Sequence, residues 1–228
     1  MINFFGFVIT IVFYKLAEVL KRFPILSKLP PIIIAGGAVI LMLEICHIDF
    51  ETYNKSASYL TFLLMPATIA LGYPIYKNIE LLKQNKRIIY TAFFAATVFA
   101  IVTTYLTAKI CHADLYIIES MLPKSVTAPI AVEISKNIGG IPELTACVVV
   151  LTGVFGGIFG HKILELLKVK NDIAIGLSMG AASHVVGTAS CVEKGREKQI
   201  VMASVALVIV GVLTAIIAPL FLYLLKVN

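Results

Sequence analysis

The sequence predicts an all-α integral membrane protein, with about six full spans and two broken or re-entrant segments forming an inverted repeat. Three observations carry this. First, 59% of the 228 residues are A, V, I, L, M, F, W, Y or C and only 14% are D, E, K or R, with a mean hydropathy of +0.96. A soluble domain carries roughly 25% charged residues and roughly 45–50% apolar ones, so a water-soluble fold of this size has nowhere to put such apolar surface. A soluble enzyme, a disordered chain and a collagen-like chain are excluded. Second, apolar stretches of span length alternate with short basic loops. Third, two further stretches of that length are too rich in breakers and polar groups to be plain spanning helices.

The first span is Asn3–Leu20, closed by Lys21, Arg22 and Pro24. It has no basic n-region and no A-x-A-like cleavage site, so it reads as a membrane helix rather than a cleaved signal. The second, Pro31–Ile48, opens on Pro30-Pro31, a favourable helix start. The third, Ser58–Tyr76, contains Pro66 and Pro74. Its stretch Met65–Pro74 is either a plain proline kink or the lining of a pathway. The fourth is Ile88–Ile110, and two later spans are Leu144–Leu167 and Ile200–Leu225. Each approaches the roughly 20 residues that cross a bilayer. The chain is read as one membrane domain, 1–228, with a four-helix scaffold half at 1–111 and a two-fold repeat carrying the site at 112–228.

The broken segments are Leu115–Asn137 and Asp172–Val192. The first has Pro123-Lys124-Ser125-Val126-Thr127-Ala128-Pro129 at its centre; the second contains Gly176, Gly180, Ser183, His184, Gly187 and Thr188. Proline removes a backbone donor and clashes with the preceding turn. Non-helical backbone at membrane depth is tolerated only where protein or a wet cavity covers it. Charge counting favours re-entrant hairpins. With Lys21–Lys28, Lys77–Arg87, Lys162–Lys170 and Lys194–Lys198 inside, those loops hold 13 of the 19 Lys and Arg. If both segments cross instead, Lys162, Lys168 and Lys170 move outside and Lys136 moves in, a poorer fit to the positive-inside rule.

Sliding the chain on itself by 58 residues aligns Ser120–Val169 with Ser178–Val227. Identities include Ser120/Ser178, Met121/Met179, Ser125/Ser183, Lys136/Lys194, Gly153/Gly211 and the run Leu166–Val169 against Leu224–Val227. Each unit is one hairpin plus one full helix, an odd number of crossings, so the second copy is inverted. Inverted repeats whose discontinuous segments meet at the midplane are a recurrent build of secondary transporters.

Half-helices ending near the midplane leave backbone N–H groups free and present partial positive charge, which suits an anion. Lys124 adds a full positive charge, which costs at least about 2.5–3.5 kcal/mol at bilayer depth. Pro123, Lys124, Ser125, Thr127 and Pro129 from one segment and Ser183, His184, Gly187 and Thr188 from the other are the candidate binding residues for a small carboxylate. The competing reading makes Lys124 snorkel, or lock onto Glu119 or Glu133. His184 is either a proton acceptor or a hydrogen-bonded packing residue. Glu133 and Glu193 read as interfacial. Gly153-x-x-Gly156-Gly157-x-x-Gly160 reads as a small-residue packing face.

No catalytic residue is assigned. Ser183 and His184 are adjacent on a helix, point in different directions and do not make a nucleophile–base pair, so the chain is not expected to be an enzyme. Cys46, Cys111, Cys147 and Cys191 are far apart and read as small hydrophobes, without a disulfide, a metal site or a cofactor. The net charge of +6 reflects cytoplasmic loops rather than nucleic-acid binding.

Three stretches carry a resemblance: Met65-Pro66-Ala67-Thr68-Ile69-Ala70-Leu71, Pro123-Lys124-Ser125-Val126-Thr127-Ala128-Pro129-Ile130-Ala131 and Ser183-His184-Val185-Val186-Gly187-Thr188-Ala189. On them, and over nearly the whole chain, the sequence resembles the LrgB/CidB family of bacterial membrane proteins, itself similar to the C-terminal half of the plastid glycolate/glycerate translocator. Met65 stands where that family often has Gly, and Gly72 where it often has Ala. The resemblance implies a multi-pass protein of the bacterial inner or plasma membrane, a homo-oligomer with a holin-like (LrgA/CidA-type) membrane partner. It implies two functions: transport of small monocarboxylates of the glycolate, glycerate or pyruvate class, which the anion site fits, or antiholin-like regulation of murein hydrolase activity and autolysis.

Overall fold

The computed structural model of the chain describes residues 4–226, apart from 24, 25, 27, 28, 71, 78 and 85. Of the residues named above, Asn3, Pro24, Lys28, Leu71 and Val227, and the side chains of Met65, Ala67, Thr68, Gly72, Pro74, Ile88 and Lys226, lie outside this description. Among the described residues every regular element is a helix. Contacts group the chain into two compact units, residues 1–70 and 71–228.

The first unit holds α1 (Phe5–Leu20), α2 (Pro31–Ile45) and α3 (Phe50–Ala70). Pro31 takes the first position of α2, where its missing N–H would have had no intrahelical partner. α1 packs on both other helices. Lipid tails are as apolar as the helices, so close approach and hydrogen bonds, not burial, hold them together. Gly6 supplies the approach: its N–H donates to Ser56 Oγ at 2.9 Å, and a side chain there would strike Ser56 and the Tyr53 carbonyl. One turn on, the Thr10 and Tyr53 hydroxyls share a 2.7 Å hydrogen bond. α3 runs on through Pro66.

The second unit holds α4 (Gly72–Lys77), α5 (Ile79–Gln84), α6 (Lys86–Ile110), α7 (Leu115–Met121), α8 (Ala128–Ile138), α9 (Pro142–Leu166), α10 (Asp172–Glu193) and α11 (Glu197–Lys226). α6 packs on α7, α10 and α11, so it belongs with the repeat rather than with α1 to α3. The six expected spans correspond to α1, α2, α3 with α4, α6, α9 and α11. By length and composition, α6, α9, α10 and α11 qualify as membrane-crossing helices, and α2 is a shorter apolar one.

α10 nevertheless does not cross. Its backbone leaves the helical region at Ser183 (φ −135°, ψ 19°) and His184 (φ 42°, ψ −130°). Gly187 then lies against the Met179 carbonyl, although a straight helix would separate residues eight apart by about 12 Å. Both ends return to one side. Asp172 Oδ1 accepts from Arg196 Nη1 at 3.1 Å and from Gln199 Nε2 at 2.7 Å, and Lys194 pairs with Glu165 at 3.5 Å. The interruption falls at Ser183–His184 and not at Gly176 or Gly180, which the sequence had suggested as breakers. Those two glycines instead seat the first arm of α10 on the Gln199 and Ala203 backbone of α11.

The α7–α8 segment doubles back as well. α7 ends at Met121, the chain turns through 122–127, and α8 returns to Gly139, which closes it in the left-handed conformation (φ 97°). Gly140 then meets Ser120: a first side-chain carbon at Gly140 would lie 2.8 Å from the Ser120 nitrogen. A continuous helix would hold residues 120 and 140 about 30 Å apart. Ser120 ties the base of this hairpin. Its Oγ accepts from the Ile141 N–H at 2.7 Å, its carbonyl accepts from Thr145 Oγ1 at 2.9 Å, and the Thr145 and Ser135 hydroxyls share a 2.7 Å hydrogen bond. All three side chains are fully buried.

α9 begins beside the base of the first hairpin and ends beside the base of the second. The hairpins therefore enter from opposite ends of α9, which is the inverted repeat expected from the 58-residue offset.

Candidate functional site

The two hairpin tips arrive at the same depth. Ile130, in the first turn of α8, lies against Gly211 near the middle of α11, with Cδ1 3.2 Å from where a side chain would start. The first arm of α10 runs parallel to α11, with Gly180 on Ala203, which brings His184 to nearly the same level one turn on. On α9, Gly153 faces the His184 ring, Gly156 faces Ser183 and Gly160 faces Met179. The glycine stripe is thus the seat of the second hairpin tip.

His184 holds the reversal. Its φ and ψ lie where an L residue is disfavoured, at a cost of about 1–3 kcal/mol. The conformation is fixed from both sides of the residue. Its Nε2 lies 3.0 Å from the Val149 carbonyl, and its own carbonyl accepts from Thr188 Oγ1 at 3.0 Å. Gly187 is where the returning arm crosses the Met179 carbonyl and Ser183, and any side chain would block that crossing.

A cavity of about 750 Å³ opens between the tips and α9, with Met121, Lys124, Thr152, Phe155, Phe159 and Ser183 among its walls. Lys124 is half-buried and makes no ion pair among the described residues. Glu133 pairs instead with Lys136 at 3.3 Å, and Glu119 is buried against Gly139, so neither expected lock on Lys124 forms. Beside it, Thr127 stands at the N-cap position of α8 but does not cap it. Its Oγ1 is buried with no hydrogen-bond partner among the described residues. An orphaned buried hydroxyl costs about 1–3 kcal/mol, and the uncapped helix start beside it carries partial positive charge.

Of the nine residues expected at the site, Lys124 and Ser183 share the cavity wall. Pro123, Ser125 and Thr127 are buried in the loop that carries Lys124. His184, Gly187 and Thr188 build the reversal that carries Ser183. Pro129 is exposed on the first turn of α8 and does not line the cavity. Sequence reading missed the α9 wall of Thr152, Phe155 and Phe159. It also missed the Ser120–Thr145–Ser135 tie, whose only sequence signal was the Ser120/Ser178 identity.

The chain matches the LrgB-like family over residues 10–224. It is 34% identical over 223 residues to the antiholin-like protein LrgB of Bacillus mycoides KBAB4, covering 97% of this chain and 96% of that one. Identity and coverage are the same for proteins of that name in Bacillus cereus B4264 and Bacillus anthracis CDC 684 / NRRL 3495. No solved structure matches. A family match along nearly the whole helical membrane chain makes this protein a multi-pass bacterial membrane protein that belongs to the LrgB-like family.

Proposed function

We propose that this protein passes small monocarboxylates, of the glycolate, glycerate or pyruvate class, across the bacterial membrane without making or breaking a covalent bond. The observation that carries the reading is Lys124. A cation with no ion pair among the described residues stands at the meeting point of two hairpins that enter from opposite sides, in one cavity wall with Ser183. A charge at that depth is costly unless it has a partner, and a carboxylate substrate supplies one. The uncapped start of α8 favours the same sign of ligand. The test is uptake of labelled glycolate, glycerate and pyruvate into proteoliposomes holding this protein alone. Uptake above protein-free vesicles supports the reading, and none for any of the three refutes it.

The second reading is an antiholin-like regulator of murein hydrolase activity, acting with a holin-like membrane partner and as a homo-oligomer. The name shared by the relatives favours it directly, and more directly than it favours transport. The readings are compatible if carboxylate flux alters the proton balance that governs autolysis. Hydrolase release from cells carrying Lys124→Ala separates them: a regulator that works by assembly alone keeps its effect, and one that works by flux loses it.

A further inference from the structure

We propose that the cavity takes an amphipathic monocarboxylate: one carboxylate at Lys124 and an apolar body of about four to eight carbons along α9. This rests on the anion-site reading above and extends its ligand beyond the two- and three-carbon acids. The cavity of about 750 Å³ is far larger than a two- or three-carbon acid needs, since a dry cavity of about 150 Å³ already holds benzene. It falls within the roughly 300–1,000 Å³ of pockets that bury larger ligands. Its chemistry is polarised. Lys124 and Ser183 sit at the hairpin tips, and Leu151, Phe155, Phe159 and Leu164 line the length of α9. Water filling the apolar part would lack the two to four polar partners that hold a buried water. Leu151 and Phe155 are also exposed, so the cavity is open along this flank and an apolar tail has a way in. Lys124 sets the sign of the head group, because an amine or a neutral head would leave it unpaired.

The chain contains no Trp, so Phe155→Trp places a single indole in the cavity wall. The full-length variant in nanodiscs is titrated with acetate, butanoate, hexanoate and octanoate, and with hexanol and hexylamine. Affinity should rise about fourfold per added methylene, the equivalent of burying one CH₂. Hexanoate should bind at least tenfold more tightly than hexanol, and hexylamine should not compete. Ala182→Phe, on the cavity wall beside Ser183, should abolish the gain with chain length. Leu151→Ala, which thins the wall without filling it, should weaken octanoate several-fold. If acetate binds and added carbons gain nothing, this proposal falls while the anion site stands. If hexanol matches hexanoate, the cavity is an apolar partition site and the proposal falls. If no acid of any length binds, the anion-site reading itself falls.

Discussion

A methyl group added at Gly153 has no space to occupy. It would lie 2.6 Å from His184 Cε1, 2.8 Å from Nε2 and 3.0 Å from Val186 Cγ2, where carbon contacts are best at about 3.5–4.0 Å. Either α9 moves about 1 Å away from the second hairpin tip, or the imidazole swings out and gives up its bond to the Val149 carbonyl. Overpacking of this kind costs about 1–3 kcal/mol, and the second route also loses a hydrogen bond worth about 1 kcal/mol. Gly153→Ala should therefore destabilise the protein by about 1–4 kcal/mol, read from reversible unfolding in mixed micelles. A double-mutant cycle isolates the contact between Gly153 and His184. His184→Ala removes the ring that the methyl strikes and leaves only the Val186 contact, so in that background Gly153→Ala should cost at least about 1 kcal/mol less. An equal cost for Gly153→Ala in both backgrounds would refute the packing of the second tip on the glycine stripe.

Cysteines placed at Lys168 and Lys198 should both react with an impermeant reagent from the same face of the membrane, the cytoplasmic one by the positive-inside rule, because α10 returns to its starting side. Labelling from opposite faces would restore a crossing α10. Asp172→Ala should cost about 1–3 kcal/mol in the same unfolding assay, because it takes the hydrogen-bond partner from the amide of Gln199, a buried side chain whose Oε1 has no partner among the described residues. Arg196→Ala breaks only an exposed pair, with 59% of the Arg196 side chain accessible, and should cost under about 1 kcal/mol. Ser120→Ala should also cost about 1–3 kcal/mol, because the Ile141 N–H loses its acceptor at the base of the first hairpin.

The membrane class and the spans were legible because they rest on summed composition and on runs of about 20 apolar residues, signals that neighbouring helices do not erase. The break at Pro123–Pro129 was legible because proline removes a donor wherever it sits. The break at Ser183–His184 was placed only to the segment. Nothing in Ser-His-Val-Val codes for a positive φ, and the reversal is imposed by the α9 glycines, by Gly187 and by the Val149 carbonyl. Gly176 and Gly180 misled for a related reason: a glycine that breaks a helix and one that admits a neighbouring backbone look alike in sequence. The same limit applies to the site. Lys124 stood out because an isolated charge in an apolar run is costly. The α9 wall could not stand out, because Thr152, Phe155 and Phe159 belong to an ordinary apolar helix until the hairpin tips are set beside it.

Lys124 as the cation for a bound carboxylate is tested by the affinity of purified Lys124→Ala for labelled glycolate. Removing one partner of a desolvated charge pair costs about 2–5 kcal/mol. Glycolate affinity should therefore fall roughly 30-fold or more. Lys124→Arg should recover only part of it, because the planar guanidinium needs more room. The variant should still fold, because the cost of holding a charge at that depth disappears with the side chain. A folded Lys124→Ala protein that binds glycolate as tightly as the parent would contradict the claim.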